Sequence, residues 1–349
     1  MSSGESLKIV VIGLGHQSLD DHLPAIREST LLTLVGVVDI DEELARRVAE
    51  EEGVDFGTSP KELLAKLTAP PDVALVAIPH HGHTEVVEFM ARNGIHIIKE
   101  KPFAISMQDA LRLVEIIIET GVSIQVTLQR RFNPIFLSFR QLLKRIGRVH
   151  SVEARYTLNV ERLDEGWRAS RLYAGGGALI DLGYHYVDLL VWYFGLPTSI
   201  TCTLSTGNRE DQNYDVEDTA HILMTYGQSG APNCILGSLI VSRVYPDKDE
   251  ALVAFGTTGS AAVQRGRVLR RDLGGNTIEC LERTGAWPSA LVDQLDAFAG
   301  HIVSGDLNGQ VDRQFLEHVA FVEAAYRSAQ AGAAQDPQMI LNEALRTLS

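Results

Sequence analysis

The chain has 349 residues, 22% of them charged, with a formal net charge of -14 and a mean hydropathy of +0.02. This length favours two domains, and the composition is typical of a soluble protein of enzyme size. Binding to nucleic acid or to an anionic membrane surface needs clustered Lys and Arg, so the acidic charge argues against both partners.

Several features favour a cytoplasmic location. The amino-terminal segment lacks the basic region of a signal peptide, and its apolar run is interrupted at Gly13. No stretch reaches the ~20 apolar residues that a bilayer-spanning helix needs. Cys202, Cys234 and Cys280 form no zinc-type pair and are odd in number. We therefore expect reduced thiols, most simply as packing residues.

Residues 1–128 alternate between apolar strands and helical segments. Predicted strands begin at residues 7, 32, 72, 95 and 122, and predicted helices cover 41–53, 83–94 and 106–121. Because these strands have no polar face, they indicate a parallel sheet that is covered by helices on both sides. We expect a doubly wound Rossmann domain that binds a dinucleotide.

The pattern changes after residue 129. A helix is predicted over 131–145, and five strands follow with a helix between them, at 149–160, 199–206, 218–226, 234–243 and 251–263. Helices return from about Pro288. Strands in succession favour an antiparallel sheet, so residues 129–349 are predicted to form a mostly antiparallel α+β domain.

A glycine motif follows the first predicted strand. Gly13 and Gly15 stand where a dinucleotide loop needs backbone without side chains, although Ser18 replaces the third glycine of the usual G-x-G-x-x-G pattern. Two glycines alone are weak evidence, because an ordinary strand-to-helix turn would look the same. The order of strand, glycines, helix and acid makes a cofactor loop the better interpretation.

The acid of this pattern is Asp39, at the end of the second predicted strand. Its carboxylate would accept hydrogen bonds from the adenosine ribose. It could instead cap the next helix, a task that Asp41 could equally perform. A carboxylate here would repel a 2′-phosphate and so favours NAD over NADP, while Arg46 and Arg47 weaken that preference.

Two further segments end predicted strands at the same sheet edge. Pro79 and His80 follow one strand, and the sequence near these histidines offers no further ligands to complete a metal site, so we predict none. Glu100, Lys101 and Pro102 follow the next strand. Lys101 could be a solvated charge or a partner of Glu100. Its place at the edge that holds the glycines favours a role beside the cofactor.

The segment from Gly175 to Asp188 places polar residues in an apolar helix. Positions four and seven apart return to nearly one helix face, so Asp181, His185 and Asp188 are predicted to share a stripe. Gly175 and its two following glycines would allow substrate or cofactor to approach closely. Alternatively, His185 could be a core imidazole bonded to either aspartate, and Asp181 could serve the helix dipole.

Together these motifs resemble the Gfo/Idh/MocA oxidoreductase family over nearly the whole chain. The resemblance depends on the order of the two early glycines, Pro79-His80-x-x-His83, Glu100-Lys101-Pro102 and the segment from Gly175 to Asp188. The chain departs from the family pattern at Ser18 and in the segment HQSLDDH, which is one residue longer than usual before His22.

The resemblance implies an NAD- or NADP-dependent enzyme acting on a sugar, inositol or nucleotide sugar, in a homodimer or homotetramer formed through the second sheet. The expected catalytic residues are Lys101, Asp181 and His185. The expected cofactor contacts are Gly13, Leu14, Gly15, His16, Gln17, Ser18, Asp39, Ile78, Pro79, His80, His83, Glu100, Lys101 and Gln129. Expected substrate contacts are Arg131, Tyr156, Asn159, Trp167 and Arg168. Tyr156 could equally be part of an ordinary strand alternation with one solvated face.

His185 is the expected acid/base because the unperturbed pKa of histidine lies near operating pH. Lys101 would stabilise alkoxide charge, and Asp181 would orient the substrate hydroxyl. Which of Lys101 and His185 transfers the proton stays open. A protein of this fold that binds NAD or sugar as a sensor, without turnover, is the alternative, and the presence of all three residues argues against it.

Overall fold

The computed structural model describes residues 6–282, 289–305, 309 and 311–347. The chain divides into two compact units. The first contains residues 6–104 and 108–129 together with the residues described between 289 and 312. The second contains residues 105–107, 130–282 and 313–347.

A six-stranded parallel sheet forms the centre of the first unit. Its strands are β1 Leu7–Ile12, β2 Leu32–Val38, β3 Asp55–Gly57, β4 Val73–Val76, β5 His96–Lys99 and β6 Ile124–Val126. Their order across the sheet is β3-β2-β1-β4-β5-β6, the doubly wound order of a Rossmann fold. The direction of winding reverses between β1 and β4, so the crevice for a ligand is expected at the carboxyl ends of these two strands.

Helices connect the strands of this sheet. They are α1 Leu23–Glu28, α2 Glu42–Glu52, α3 Pro60–Lys66, α4 His83–Arg92 and α5 Met107–Thr120. The Asp41 side chain caps α2 by accepting from the amides of Glu43 and Leu44, and Gly53 ends α2 in the left-handed conformation. The predicted Rossmann sheet and the three predicted helices are thus confirmed.

The second unit is built on an eight-stranded sheet. Its strands are β7 Val149–Asn159, β8 Ser199–Ser205, β9 Thr219–Tyr226, β10 Ile235–Ser242, β11 Val244–Gly256, β12 Gly259–Gln264, β13 Arg267–Arg271 and β14 Thr277–Glu282. Their order is β14-β13-β12-β11-β7-β10-β9-β8, and only β7 and β10 pair in parallel among these described strands. The predicted, mostly antiparallel sheet is confirmed.

One predicted strand of this sheet is wrong in its extent. Residues 251–263 form a hairpin of β11 and β12 instead of a single strand. The turn lies between Gly256 and Gly259, whose φ of +152° is a conformation that favours glycine.

Five α-helices of the second unit lie within the described residues. They are α6 Pro134–Leu143, α7 Arg171–Ala174 and α8 Tyr184–Phe194 and, after one helix of the first unit, α10 Arg313–Ala331 and α11 Pro337–Thr347. Asn133 caps α6 by accepting from the amide of Ile135. Within the described ranges, no helix is both long enough and apolar enough to span a bilayer.

Helix α9, Ser289–Ser304, returns to the first unit although it follows the whole second sheet in sequence. Leu291, Leu295 and Phe298 are buried in the hydrophobic cluster that includes residues of β1 and α1. The Gln294 side-chain amide donates to the carbonyl of Val126 over 2.7 Å. The boundary predicted after residue 128 lies one residue from Gln129, where the segment 108–129 of the first unit ends. The same prediction places α9 in the second domain, whereas the structure places it in the first unit. An apolar helix face does not reveal which core it joins.

Candidate functional site

The glycine loop of the first unit has the geometry that a dinucleotide requires. Gly13 has φ +92°, and a Cβ atom there would lie 2.3 Å from the carbonyl oxygen of Ala77. Gly15 is exposed, and a Cβ atom there would meet open space. Gly15, His16 and Gln17 are exposed where helical backbone begins, so the first helix amides face solvent at the carboxyl edge of the sheet.

The two departures from the family pattern are accommodated locally. Ser18 is buried, and its hydroxyl donates to the carbonyl of Gly13 over 2.5 Å, which closes the loop where a third glycine usually stands. The longer segment forms a π-helical turn over Ser18–His22. Because a π turn bonds residue i to i+5, it takes up one residue more than an α turn.

This π turn places His22 against Glu100. The His22 Nε2 lies 2.8 Å from Glu100 Oε1, and the His22 side chain is fully buried. Burial acts to raise the pKa of Glu100, but the hydrogen bond with His22 and the charge of Lys101 help to outweigh it and lower the pKa to about 2. Glu100 is therefore ionised at neutral pH, and its other oxygen accepts from the Lys101 backbone amide over 3.2 Å.

Asp39 is joined directly to the glycine loop. Its Oδ2 accepts from the amide of Leu14 over 2.7 Å, and its Oδ1 accepts from the amide of Asp41 over 2.9 Å. Asp41, not Asp39, supplies the side-chain cap of α2. Asp39 is therefore not the helix cap that the sequence left open. Its carboxylate is fixed beside the glycine loop.

A buried lysine anchors the segment that follows Lys101. The Lys99 ammonium donates to the carbonyls of Pro102 and Phe103 over 2.5 and 2.9 Å, and its side chain is fully buried. Burial lowers the pKa of Lys99 to about 7. The peptide bond between Lys101 and Pro102 is cis. The backbone on both sides of Lys101 is thus held by side chains of its own unit.

The histidines after β4 are structural neighbours of one another. His83 is buried, and its Nε2 lies 2.8 Å from the carbonyl oxygen of Ile78. Burial lowers the pKa of His83 well below its usual value, so the ring is neutral. His80 stacks edge-on to it, with ring centroids 5.9 Å apart, and Pro79 is half-buried. In the part of the chain that the structure describes, no three His, Cys, Asp or Glu residues are grouped as metal ligands.

Gln129 ends the first unit at the start of a 3₁₀ helix over Gln129–Phe132. Its Oε1 is buried and has no hydrogen-bond partner among the described residues. A buried acceptor of this kind is stabilised when a donor reaches it. The cofactor contact of Gln129 stays a prediction, and this acceptor is the atom that would make it.

The glycine run of the second unit is required by contacts within the protein. A Cβ atom on Gly176 would lie 2.0 Å from the Tyr326 hydroxyl, and one on Gly177 would lie 1.9 Å from the carbonyl oxygen of Glu217. Gly175 has φ +79°. We predicted close approach of substrate or cofactor at these glycines; the observed close neighbours are the protein's own side chain and backbone.

Asp181 lies in a second π-helical turn, Leu179–Gly183, directly before α8. Its side chain is 12% exposed, and its Oδ2 contacts Arg243 Nη2 at 2.8 Å and Arg168 Nε at 3.3 Å. The wider turn changes the angular position of Asp181 relative to α8. The common stripe expected for Asp181, His185 and Asp188 stays a prediction, and Asp181 enters it from a π turn instead of a regular α-helical one.

His185 is half-buried at the second residue of α8. Its ring centroid lies 6.4 Å from that of Tyr156, a predicted substrate residue that is 9% exposed. Burial raises the pKa of Tyr156, so the phenol stays protonated at neutral pH. The guanidinium of Arg130 lies 4.9 Å from the Tyr156 ring centre and fixes it from another side.

Asp188 belongs to a different cluster. It is 1% exposed, and its Oδ1 contacts Arg131 Nη2 at 2.5 Å and His318 Nε2 at 3.3 Å. Burial, with the nearby charge of Arg131, lowers the pKa of His318 well below its usual value. These contacts join α8 to α10 and favour a structural role for Asp188 and Arg131, although we predicted substrate contact for Arg131.

The remaining predicted substrate residues lie on one connected segment of the second unit. Trp167 and Arg168 form a 3₁₀ turn with Ala169, and the Arg168 guanidinium lies 4.3 Å from the centre of the indole. The Arg168 side chain is 53% exposed. Asn159 ends β7, and its side-chain oxygen accepts from Arg209. A half-exposed guanidinium on an indole suits a hydroxylated or anionic ligand.

Two buried charges of these clusters, Arg243 and Lys99, were not among the predicted site residues. The available sequence signals were a charged residue at the end of the predicted strand 234–243 and a lysine at the end of the apolar run before Glu100. Neither signal identifies a contact by itself.

Fold and loop together define an NAD-binding Rossmann protein with a second α+β unit. Residues 7–128 match the family model described as the oxidoreductase family with an NAD-binding Rossmann fold, and residues 136–262 match the GFO/IDH/MocA C-terminal domain. The chain belongs to the GFO/IDH/MocA oxidoreductase family, as its motifs predicted. Open space at Gly15 and the fixed Asp39 carboxylate fit the pyrophosphate and ribose of NAD.

Among curated relatives, the chain is 25% identical over 279 residues to scyllo-inositol 2-dehydrogenase (NADP(+)) of Bacillus subtilis, which covers 75% of this chain and 73% of that protein. Three other curated relatives, 27% to 29% identical, are matched over only 63% to 66% of their own length.

Solved structures share the fold. GenD2 from gentamicin A biosynthesis, in complex with NAD, superposes with a TM-score of 0.80 and 24% identity over 95% of this chain and 96% of that chain. The WlbA dehydrogenase of Bordetella pertussis, in complex with NADH and UDP-GlcNAcA, superposes with a TM-score of 0.77 and 22% identity over 95% and 99%.

Asp39 gives a testable prediction about the choice of cofactor. Replacing Asp39 with asparagine is expected to weaken NAD binding about tenfold and to strengthen NADP binding, because a carboxylate at this position would bond the ribose and repel a 2′-phosphate. Calorimetric titration of both nucleotides measures the ratio. Asp41→Asn is the matched control, since Asp41 caps α2 and should leave the ratio unchanged. An unaltered ratio in Asp39→Asn would remove Asp39 from the ribose site.

Proposed function

We propose that the protein is an NAD(P)-dependent oxidoreductase that transfers hydride between the nicotinamide and a secondary alcohol or ketone of a sugar, inositol or nucleotide sugar. The observation that carries this proposal is the loop of Gly13 and Gly15 tied to Asp39 through the Leu14 amide. This arrangement supports dinucleotide binding, and the family match supports redox chemistry at the nicotinamide.

Side chains of the protein transfer the hydroxyl proton and stabilise the charge that its loss creates. NAD, when bound, supplies the hydride acceptor or donor. His185 takes or gives the proton of the reacting hydroxyl, because an imidazole changes charge near neutral pH. The ammonium of Lys101 stabilises negative charge on that oxygen. Asp181 accepts a hydrogen bond that orients the hydroxyl or the imidazole.

The substrate class rests on the second unit. Arg168 stacked on Trp167 offers an aromatic face and exposed guanidinium donors, and Tyr156 adds a neutral phenol. Such groups recognise ring faces, hydroxyls and anionic substituents. The relative that acts on scyllo-inositol and the fold neighbour crystallised with UDP-GlcNAcA are consistent with a polyhydroxylated ring.

The proposal is tested by incubating the full-length protein and NAD or NADP with inositols, hexoses, hexuronates and UDP-hexoses. A rise in absorbance at about 340 nm with at least one compound is expected, and the Lys101→Met variant should abolish it. Nucleotide binding measured by calorimetry, without absorbance change for any compound in either direction, would favour the sensor over the enzyme.

A further inference from the structure

Asp181 and Arg243 form a buried ion pair that no sequence motif predicts. Arg243 lies between β10 and β11, and its side chain is 4% exposed. One guanidinium nitrogen, Nη2, lies 2.8 Å from Asp181 Oδ2 and donates to the carbonyl of Gly177 over 3.2 Å. The same side chain thus contacts the carboxylate and the glycine turn that precedes it.

The backbone of Arg243 is fixed independently of its side chain. Its amide donates to the carbonyl of Asp218 over 2.8 Å, and its carbonyl accepts from the amide of Val160 over 2.7 Å. Gly177 is equally restrained, because a Cβ atom there would lie 1.9 Å from the Glu217 carbonyl oxygen. Both the backbone that carries the guanidinium and the turn that accepts from it are thus fixed, so little conformational entropy is lost when the guanidinium binds the carboxylate.

Other charged and titratable groups surround the pair. Arg168 approaches the same oxygen of Asp181 from the 3₁₀ turn, at 3.3 Å. Tyr156 on β7 is near enough that the charge of Asp181 contributes to its raised pKa, after burial as the main cause. Glu217 is bonded to the Leu179 amide at 3.0 Å and to the Tyr326 hydroxyl at 2.9 Å. Two guanidinium groups therefore contact Asp181 directly.

We propose that Arg243 is a positioning residue that keeps Asp181 ionised and fixes it relative to the glycine turn. A carboxylate beside a buried guanidinium strongly favours its charged form, and loss of Arg243 would leave the buried carboxylate with only the half-exposed Arg168 as a direct cationic contact among those described. Arg168, with a half-exposed side chain, contributes less because water screens its charge.

This inference rests on the proposed function only where it gives Asp181 a task in catalysis. A permanently ionised Asp181 accepts hydrogen bonds but donates no proton at neutral pH. It therefore leaves proton transfer to His185 or Lys101 and stabilises a protonated imidazole by its charge. The ion pair itself can be tested without any substrate, so failure of the proposed reaction would not decide it.

The test is a nuclear magnetic resonance titration of the full-length protein labelled with carbon-13 in the aspartate carboxyl groups. Asp181→Asn identifies the Asp181 signal by its loss. In Arg243→Met, this signal is expected to titrate roughly one to three pH units higher than in the unsubstituted protein. Arg243→Lys keeps the charge and should restore most of the difference, which a purely structural role would not require.

Arg168→Met is the matched control, with a smaller expected displacement because Arg168 is half-exposed. The proposal is overturned if Arg243→Met, shown by circular dichroism to be folded, titrates as the unsubstituted protein does. If Arg243→Met does not fold, the unsubstituted protein decides instead. Titration of Asp181 in the range of an exposed aspartate contradicts the proposal, and ionisation throughout the folded range supports it.

Discussion

Replacing His185 with alanine is expected to lower turnover by roughly 10² to 10⁴ while leaving NAD affinity unchanged. The imidazole is half-buried beside Tyr156 in the second unit, whereas the dinucleotide loop lies in the first. Steady-state rates with the substrate found in the panel, together with calorimetric NAD titration, measure the two effects separately.

His150→Ala is the control for this variant, because His150 is exposed at the start of β7. Equal turnover in His185→Ala and the unsubstituted protein would exclude His185 as the acid/base. Proton transfer by Lys101 would then be the remaining assignment of the two that the sequence left open.

Asp188→Asn is expected to lower the free energy of unfolding by about 3 to 5 kcal/mol. Asparagine has nearly the same shape, but it leaves the Arg131 guanidinium beside a neutral amide in an interior where Asp188 is 1% exposed. The loss also weakens the contact with His318 on α10. Equilibrium unfolding in urea, followed by tryptophan fluorescence, measures this change.

Glu42→Gln provides the comparison, because Glu42 pairs with Arg46 in an exposed position on α2. Exposed pairs of this kind contribute about 0 to 1 kcal/mol. If the two substitutions destabilise the protein equally, Asp188 does not have the structural role that its burial indicates.

Features that depend on local sequence pattern, such as buried strands and helix ends, were predicted best. Strands of a parallel sheet are buried on both faces, so β1, β4 and β5 were visible as apolar runs. Helix α2 was marked by its Asp41 cap and its Gly53 end. Asp39 could be found because the Rossmann connection fixes its distance from the glycines along the chain.

Contacts between distant residues escaped prediction for a physical reason. Arg243 is 62 residues from Asp181, and Arg131 is 57 residues from Asp188. Pairing at such separations depends on strand register and helix packing, which no local spacing encodes. The π turn before α8 likewise depends on which carbonyl each amide reaches, so the α-helical periodicity of the sequence could not predict it.

The return of α9 to the first unit has a consequence for how the protein is made. When residue 129 leaves the ribosome, the apolar surface around Leu7 and Leu23 still lacks Leu291 and Phe298, which are synthesised only after the whole second sheet. The nucleotide-binding half therefore emerges first but is completed only after the whole second sheet has been made, shortly before α10 and α11 of the second unit. During translation its uncovered surface is open to chaperones and to association with other nascent chains.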